Sequence, residues 1–290
     1  LLAETGLSDQ ISDEGCLSLY TDQAEFKADR AHIEILERFG FPHEVLTASA
    51  LRALEPGLSD KIGMAVHFPQ NRSMRDPYRL VLALAERFTA AGGRIECGEV
   101  MGFARGEAIR EVRLADGRRI PADEVVICAG AFSAKLAKML DEPIPLETER
   151  GYHTQIMASG VTMKHSIIWP ARAFMVTPTA GGIRVGGTVE MAGLEAAPDY
   201  RRAKVTVRRA QEALPNLRCE DFTEWMGHRP ALPDTVPILS ASAKTRGVFY
   251  ATGHGHLGLT YAATTARLMG DLISGKTPPV DLHPYSINRF

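Results

Sequence analysis

The 290-residue chain is 45% hydrophobic and 23% charged, with a net charge of −2; these near-average values exclude a disordered chain and supply no field that would hold nucleic acid. The length suits one large core or two moderate ones. Apolar runs fall short of the roughly 20 residues that span a bilayer, and Glu4, Asp9, Asp13 and Glu14 occupy the start, where a signal peptide carries Lys or Arg. Cys16, Cys97, Cys128 and Cys219 show no paired spacing of the zinc or redox kind, so reduced thiols in a cytoplasmic setting are expected, with Cys128 in a core and no metal site. Leu1-Leu2 opens the chain without Met and reads as the start of a fragment.

From Asp22 to Phe39 the residues Phe26, Ile33, Leu36 and Phe39 recur at helical spacing, ended by Gly40 and Pro42. A second helix is predicted after Asp76, which caps it while Pro77 takes the first helical position. Leu80, Leu84 and Phe88 form its inner face, and Gly92-Gly93 stops it. Arg94–Val100 reads as a strand; Ile109–Leu114 reads as another, returning through Asp116-Gly117 to Arg119-Ile120. Glu124–Cys128 is a continuous apolar strand of the kind buried on both faces, and Ala129-Gly130-Ala131 turns it into a helix from Ser133 to Leu140.

Residues 143–224 carry β-rich pieces at Tyr152–Met157, Phe174–Thr177 and Ile183–Val189, with one helix from Asp199 to Ala213. They read as a separate antiparallel sheet. After Pro237 the strand–turn–helix pattern returns, with strand Val248–Ala251, turn Gly253–Gly258 and helix Leu259–Ile273. An α/β layer is therefore interrupted by an insertion.

Thr252-Gly253-His254-Gly255-His256-Leu257-Gly258-Leu259-Thr260 satisfies G-x-G-x-x-G between a predicted strand and a predicted helix. A self-contained NAD site also needs a second strand ending in an acid about 20 residues on; only a helix, Gly275 and a Pro-rich tail follow. A tight turn without ligand is the plain alternative. His254 and His256 as metal ligands would need a third partner such as His228. Glycines admit a flat ligand to the backbone, and a helix N-terminus carries partial positive charge, so an anion or electron-rich ring suits the turn.

Three stretches together resemble the superfamily of FAD-dependent D-amino acid dehydrogenases, D-amino acid oxidases, glycine oxidases and sarcosine oxidases. They are Glu124-Val125-Val126-Ile127-Cys128-Ala129-Gly130-Ala131-Phe132-Ser133, then Trp225-Met226-Gly227-His228-Arg229-Pro230-Ala231-Leu232-Pro233-Asp234, then the GHGHLGLT turn. Leu146–His153 and Ile183–Glu190 add a likeness to bacterial D-amino acid dehydrogenases. The resemblance implies an α/β plus α+β fold in which an incomplete, Rossmann-like FAD-binding domain is interleaved with an antiparallel-sheet substrate domain. Residues 1–70 and 141–228 would form the substrate domain, 71–140 and 229–276 the FAD-binding domain, and 277–290 a tail. The family's opening glycine fingerprint is absent before Glu124, so an N-terminally truncated chain is expected.

By the same resemblance Val100 flanks the adenine of FAD, and Ala129 and Gly130 let the backbone pass close to its diphosphate and ribose. Gly255, His256, Leu257, Gly258, Leu259 and Thr260 lie along the pyrimidine edge of the flavin. Arg229 holds the carboxylate of an amino acid substrate, for which a planar guanidinium is matched, and Tyr152, His153 and His254 line the pocket. The implied reaction oxidises the Cα–N bond of a D-amino acid or similar amine to an imino acid. A folded fragment unable to bind FAD, and so catalytically silent, is the alternative. The side chain accepted, the electron acceptor (oxygen, a quinone or a protein), the oligomeric state and a peripheral association with the inner membrane stay open.

Overall fold

The computed structural model describes residues 2–290; Leu1, on which the expectation about the chain's start falls, lies outside the described residues. The chain divides into two compact units, the first made of residues 1–94, 151–189 and 198–226, the second of 95–150, 190–197 and 227–290. No helix among the described residues is long and apolar enough to cross a membrane.

The first unit is built on a sheet in the order Glu147–Ile156, Gly182–Gly186, Phe174–Thr179, Ser166–Trp169, Cys16–Tyr20, Met64–Phe68, Glu44–Thr47. In the first of these strands the residues up to Arg150 belong to the second unit. Neighbours are antiparallel except Ser166–Trp169 against Cys16–Tyr20, which run parallel with Ile167 opposite Leu17. Leu17, Leu19, Ile167, Trp169, Val176 and Val185 bury one face, against Val207, Ala210 and Ala213 of the helix Arg201–Ala213. The alternation of apolar residues along these strands places them in that core.

The predicted helix from Asp22 is two helices, Gln23–Ala28 and Arg30–Arg38. Asp22 caps the first by accepting from the Ala24 and Glu25 N–H groups. Asp29 ends it, and its carboxylate accepts a 2.7 Å hydrogen bond from the Tyr20 hydroxyl, a tertiary contact that periodicity cannot show. Phe26 and Ile33 are buried while Phe39 is exposed. The helix Pro77–Ala90 begins as expected, with Asp76 accepting from Arg79 N–H at 3.0 Å and Pro at the first position. Only Leu80 of its predicted inner face is buried; Phe88 is exposed.

The second unit holds two small sheets. One is a meander of Val100–Arg105, Ile109–Leu114 and Arg119–Pro121, its Asp116-Gly117 turn relying on Gly117 at φ 86°. The strand expected over 94–100 is displaced to Val100–Arg105. Arg118 explains why: its guanidinium donates to Glu96 and to the Cys97 carbonyl, taking an acceptor that a ladder would use. The other sheet has the order Ile238–Ala241, Val248–Thr252, Val125–Ile127, with the last two strands parallel and Tyr250 opposite Ile127. Helices Ser133–Met139 and Gly258–Ile273 follow the two parallel strands. Ile127, Ala137, Leu140, Ile238, Val248 and Tyr250 form the core.

Two expectations about the strand ending at Cys128 are corrected. Val126 is 40% exposed and Cys128 is exposed, so the apolar run is covered on one face only and Cys128 is not a core residue. The strand predicted over 183–189 stops at Gly186. Gly187 adopts φ 149°, and a Cβ there would lie 2.5 Å from the Ala173 carbonyl oxygen, so the chain leaves the sheet.

Candidate functional site

In the second unit the parallel strands Val125–Ile127 and Val248–Thr252 deliver two glycine turns to the same sheet edge, beyond their C-terminal ends. In open α/β sheets that edge is where ligands dock. Thr252 Oγ1 donates to the Gly130 carbonyl at 3.0 Å, tying the turns together. Gly130 and Gly255 have φ of 55° and 53°, and a Cβ on either would meet nothing within 4 Å. Their left-handed backbone therefore faces open space. Helix Gly258–Ile273 starts beside them with Leu257 at its N-cap and no side-chain cap, leaving its first N–H groups to an outside acceptor. Leu257, Leu259 and Tyr261 are exposed there, as is Thr260.

The glycine turn meets the Arg229 segment directly, since Gly255 N–H donates to the Pro230 carbonyl at 2.8 Å. Gly253, at φ 82°, packs against Leu232, into which a Cβ would run at 2.2 Å. Arg229 is half-buried; desolvation lowers its affinity for the proton, opposed by the negative charge of Glu149. Glu149 accepts from His256 Nε2 at 2.8 Å. Thr148 Oγ1 and His228 Nδ1 share a 2.9 Å hydrogen bond, and Phe132 lies edge-on to the His228 ring with centroids 5.8 Å apart. His254 turns toward the helix, where its Nε2 and Thr265 Oγ1 are 2.9 Å apart, and burial pushes its pKa down.

The remaining sequence candidates are Tyr152, His153 and Val100. Tyr152 belongs to the first unit and is 1% exposed; its hydroxyl accepts from Asp199 N–H at 2.9 Å, and its ring meets Tyr200 edge-on. His153, also in the first unit, stacks near Trp225 with ring centroids 5.2 Å apart. Burial, followed by the nearby charge of Arg184, lowers its pKa to about 4. Val100 opens the meander, paired with Leu114, in a different sheet from the two glycine turns.

Thr148, Glu149 and Arg150 were not among the candidates from sequence. Arg150 is fully buried, with its guanidinium donating to the carbonyls of Gly193, Ala196 and Ala197 at 2.8, 2.6 and 3.4 Å and lying 3.7 Å from Glu190. The signal available was the cluster Glu147, Glu149 and Arg150 at the start of a largely buried strand, charges that burial tolerates only with partners.

A comparison with protein families matches residues 1–272 to the model described as FAD dependent oxidoreductase. The chain belongs to that family. A D-amino-acid oxidase of Bradyrhizobium diazoefficiens is 33% identical over 294 residues, spanning all of this chain and 70% of the relative. A D-amino acid dehydrogenase of Rhizobium johnstonii is 29% identical over 297 residues, spanning all of this chain and 71% of the relative. Among solved structures, glycine oxidase from Geobacillus kaustophilus superposes with a TM-score of 0.86 at 22% identity, over 97% of this chain and 76% of that one. The mixed α/β fold with antiparallel sheets is thus that of FAD-dependent oxidoreductases.

The residues at the sheet edge fit the family's cofactor in kind. Two open left-handed glycines admit a flat ring system, an uncapped helix start offers N–H donors to an anionic edge, and exposed Leu257, Leu259 and Phe132 offer apolar surface.

Proposed function

We propose that the protein uses FAD to oxidise the Cα–N bond of an amino acid, D-amino acids first, giving an imino acid that water converts to a keto acid and ammonia. The observation that carries this reading is the hydrogen bond from Gly255 N–H to the Pro230 carbonyl, which sets the glycine turn beside Arg229. Ala129, Gly130 and Gly255 through Thr260 are the residues that would hold the flavin and its diphosphate, and Val100 the one that would flank the adenine. When bound, FAD supplies the acceptor for a hydride from Cα.

Arg229 binds the substrate carboxylate. Its partial burial strengthens a charge-assisted, bidentate contact relative to the same pair in water. Holding the carboxylate fixes the orientation of Cα, and His254, pinned to Thr265, lines the site with a neutral ring. The preference for the D-series is supported by the two relatives' names. A cytoplasmic setting, expected from the cysteines, belongs to the same proposal.

The test is a titration of the purified protein with FAD, followed by assay of matched D- and L-amino acids with an artificial electron acceptor. Uptake of FAD with appearance of flavin absorbance, and turnover of D-amino acids with keto acid release, is the expected result. No flavin absorbance retained by the protein after unbound FAD is removed by gel filtration would instead favour the catalytically silent reading.

A further inference from the structure

Three hydrogen bonds link three segments of the second unit into a closed triangle. Thr148 bonds His228 at 2.9 Å, Glu149 bonds His256 at 2.8 Å, and Gly255 bonds Pro230 at 2.8 Å. Thr148–Arg150 and His228–Pro230 lie in strands Glu147–Ile156 and Phe222–Ala231, which pair. Side chains alternate between the faces of a strand. Because Thr148 and His228 touch, they share one face, so their neighbours Glu149 and Arg229 share the other, together with His256. Glu190, opposite Arg150 on the next strand and 3.7 Å from its guanidinium, belongs to the Thr148 face. Met191, opposite Glu149, carries no charge. The charged and titratable groups on the Glu149 face are therefore Glu147 and His153 of its own strand, one cation, Arg229, from the neighbouring strand, and His256 from the glycine turn. The charge of Glu149 is felt at Arg229.

A face that pairs a guanidinium with a carboxylate matches both ends of a zwitterion. We infer that Glu149 receives the ammonium group of the amino acid whose carboxylate Arg229 holds, and takes its proton, with His256 as the residue that positions that carboxylate. This rests on the function proposed above, and assigns within it a role that the earlier candidates leave unfilled. An ammonium nitrogen has no lone pair, so the C=N bond cannot form as hydride leaves Cα. Transfer to Glu149 breaks one N–H bond and makes one O–H bond, turning an ammonium and a carboxylate into an amine and a carboxylic acid. The freed lone pair becomes the second bond of C=N as the Cα hydride departs, with both its electrons, to the oxidised flavin. Glu149, whose own side chain is 29% exposed, then releases the proton to solvent and becomes a carboxylate again, held in place by His256 Nε2 at 2.8 Å.

The experiment compares wild type, Glu149→Gln, Glu149→Asp and His256→Asn in the FAD-loaded protein, measuring kcat/KM for a D-amino acid against pH and the affinity for acetate by calorimetry. Acetate carries the carboxylate but no amine. At neutral pH Glu149→Gln is expected to lower kcat/KM about 100-fold, the usual scale for losing a positioned acid or base. The deficit should shrink about tenfold per unit of rising pH, as free amine becomes available without a protein base. Acetate affinity should hold or rise, Glu149→Asp should recover most of the rate, and His256→Asn should lose about tenfold. A loss that is equal at every pH, no loss at all, or a parallel collapse of acetate binding would overturn the assignment. Wild-type protein that takes up FAD yet oxidises no amino acid would instead refute the underlying function, before any variant is examined.

Discussion

The two faces of the strand pair Thr148–Arg150 and His228–Pro230 carry similar residue types in opposite circumstances. On one face Arg150 has no solvent exposure and donates to three carbonyls, and His228 is bonded to Thr148. On the other, Arg229 is half-buried, Glu149 and His256 are hydrogen-bonded at 2.8 Å on partly exposed side chains, and the adjoining glycine turn opens to space. The first face spends its charge on closing a loop; the second keeps charge where a ligand can reach it. Two arginines on neighbouring strands thus differ in setting: Arg150 is wholly enclosed by loop carbonyls, whereas Arg229 is half-buried beside the carboxylate of Glu149.

Exchanging each arginine for alanine separates the faces most sharply. Arg150→Ala removes a fully buried guanidinium that three loop carbonyls and Glu190 surround, and is expected to cost about 3–5 kcal/mol of stability, read as a lower midpoint in urea denaturation. Arg229→Ala should lower the denaturation midpoint less than Arg150→Ala does and raise KM for amino acids about 10- to 150-fold, the equivalent of a charge-assisted contact of roughly 1.5–3 kcal/mol. A stability loss in the second variant as large as in the first would erase the distinction.

The first unit extends the contrast with smaller effects. Tyr152→Phe removes the acceptor of the Asp199 N–H and should destabilise the protein by about 1 kcal/mol with KM unaltered; a changed KM would instead support the expectation that Tyr152 lines the substrate pocket. His153 has a folded pKa of about 4 against an ordinary 6.5, chiefly through burial. Between those values the unfolded chain binds a proton that the folded chain does not, so stability falls as pH drops through that window. His153→Gln should flatten this acid limb in thermal melts recorded from pH 7 to pH 4, whereas an unchanged slope would assign it to other groups.

Local chemistry made much of the fold legible. Asp76-Pro77 marks a helix start and Asp116-Gly117 a hairpin because each acts through its own backbone within a few residues. Two of the failures involve side-chain contacts that periodicity does not show: Asp29, bonded to Tyr20, stands between two helices, and Arg118 takes the Cys97 carbonyl. Cys128 looked buried because an apolar run shows that a strand can be covered, not that both faces are. At the site, the glycine turn and Arg229 were visible as motifs. Glu149 was not, because the role proposed for it comes from sharing a face with Arg229, and that depends on which strands pair.

The account depends on Arg229 and the glycine turn serving one ligand-filled site. The direct measurement is the visible absorption spectrum of the FAD-loaded protein during titration with acetate, in wild type and in Arg229→Ala. A saturable spectral shift in wild type that is lost in the variant is the predicted result, since a carboxylate on Arg229 would perturb a ring held at the adjoining turn. Acetate that inhibits turnover competitively yet leaves the spectrum unmoved would contradict it.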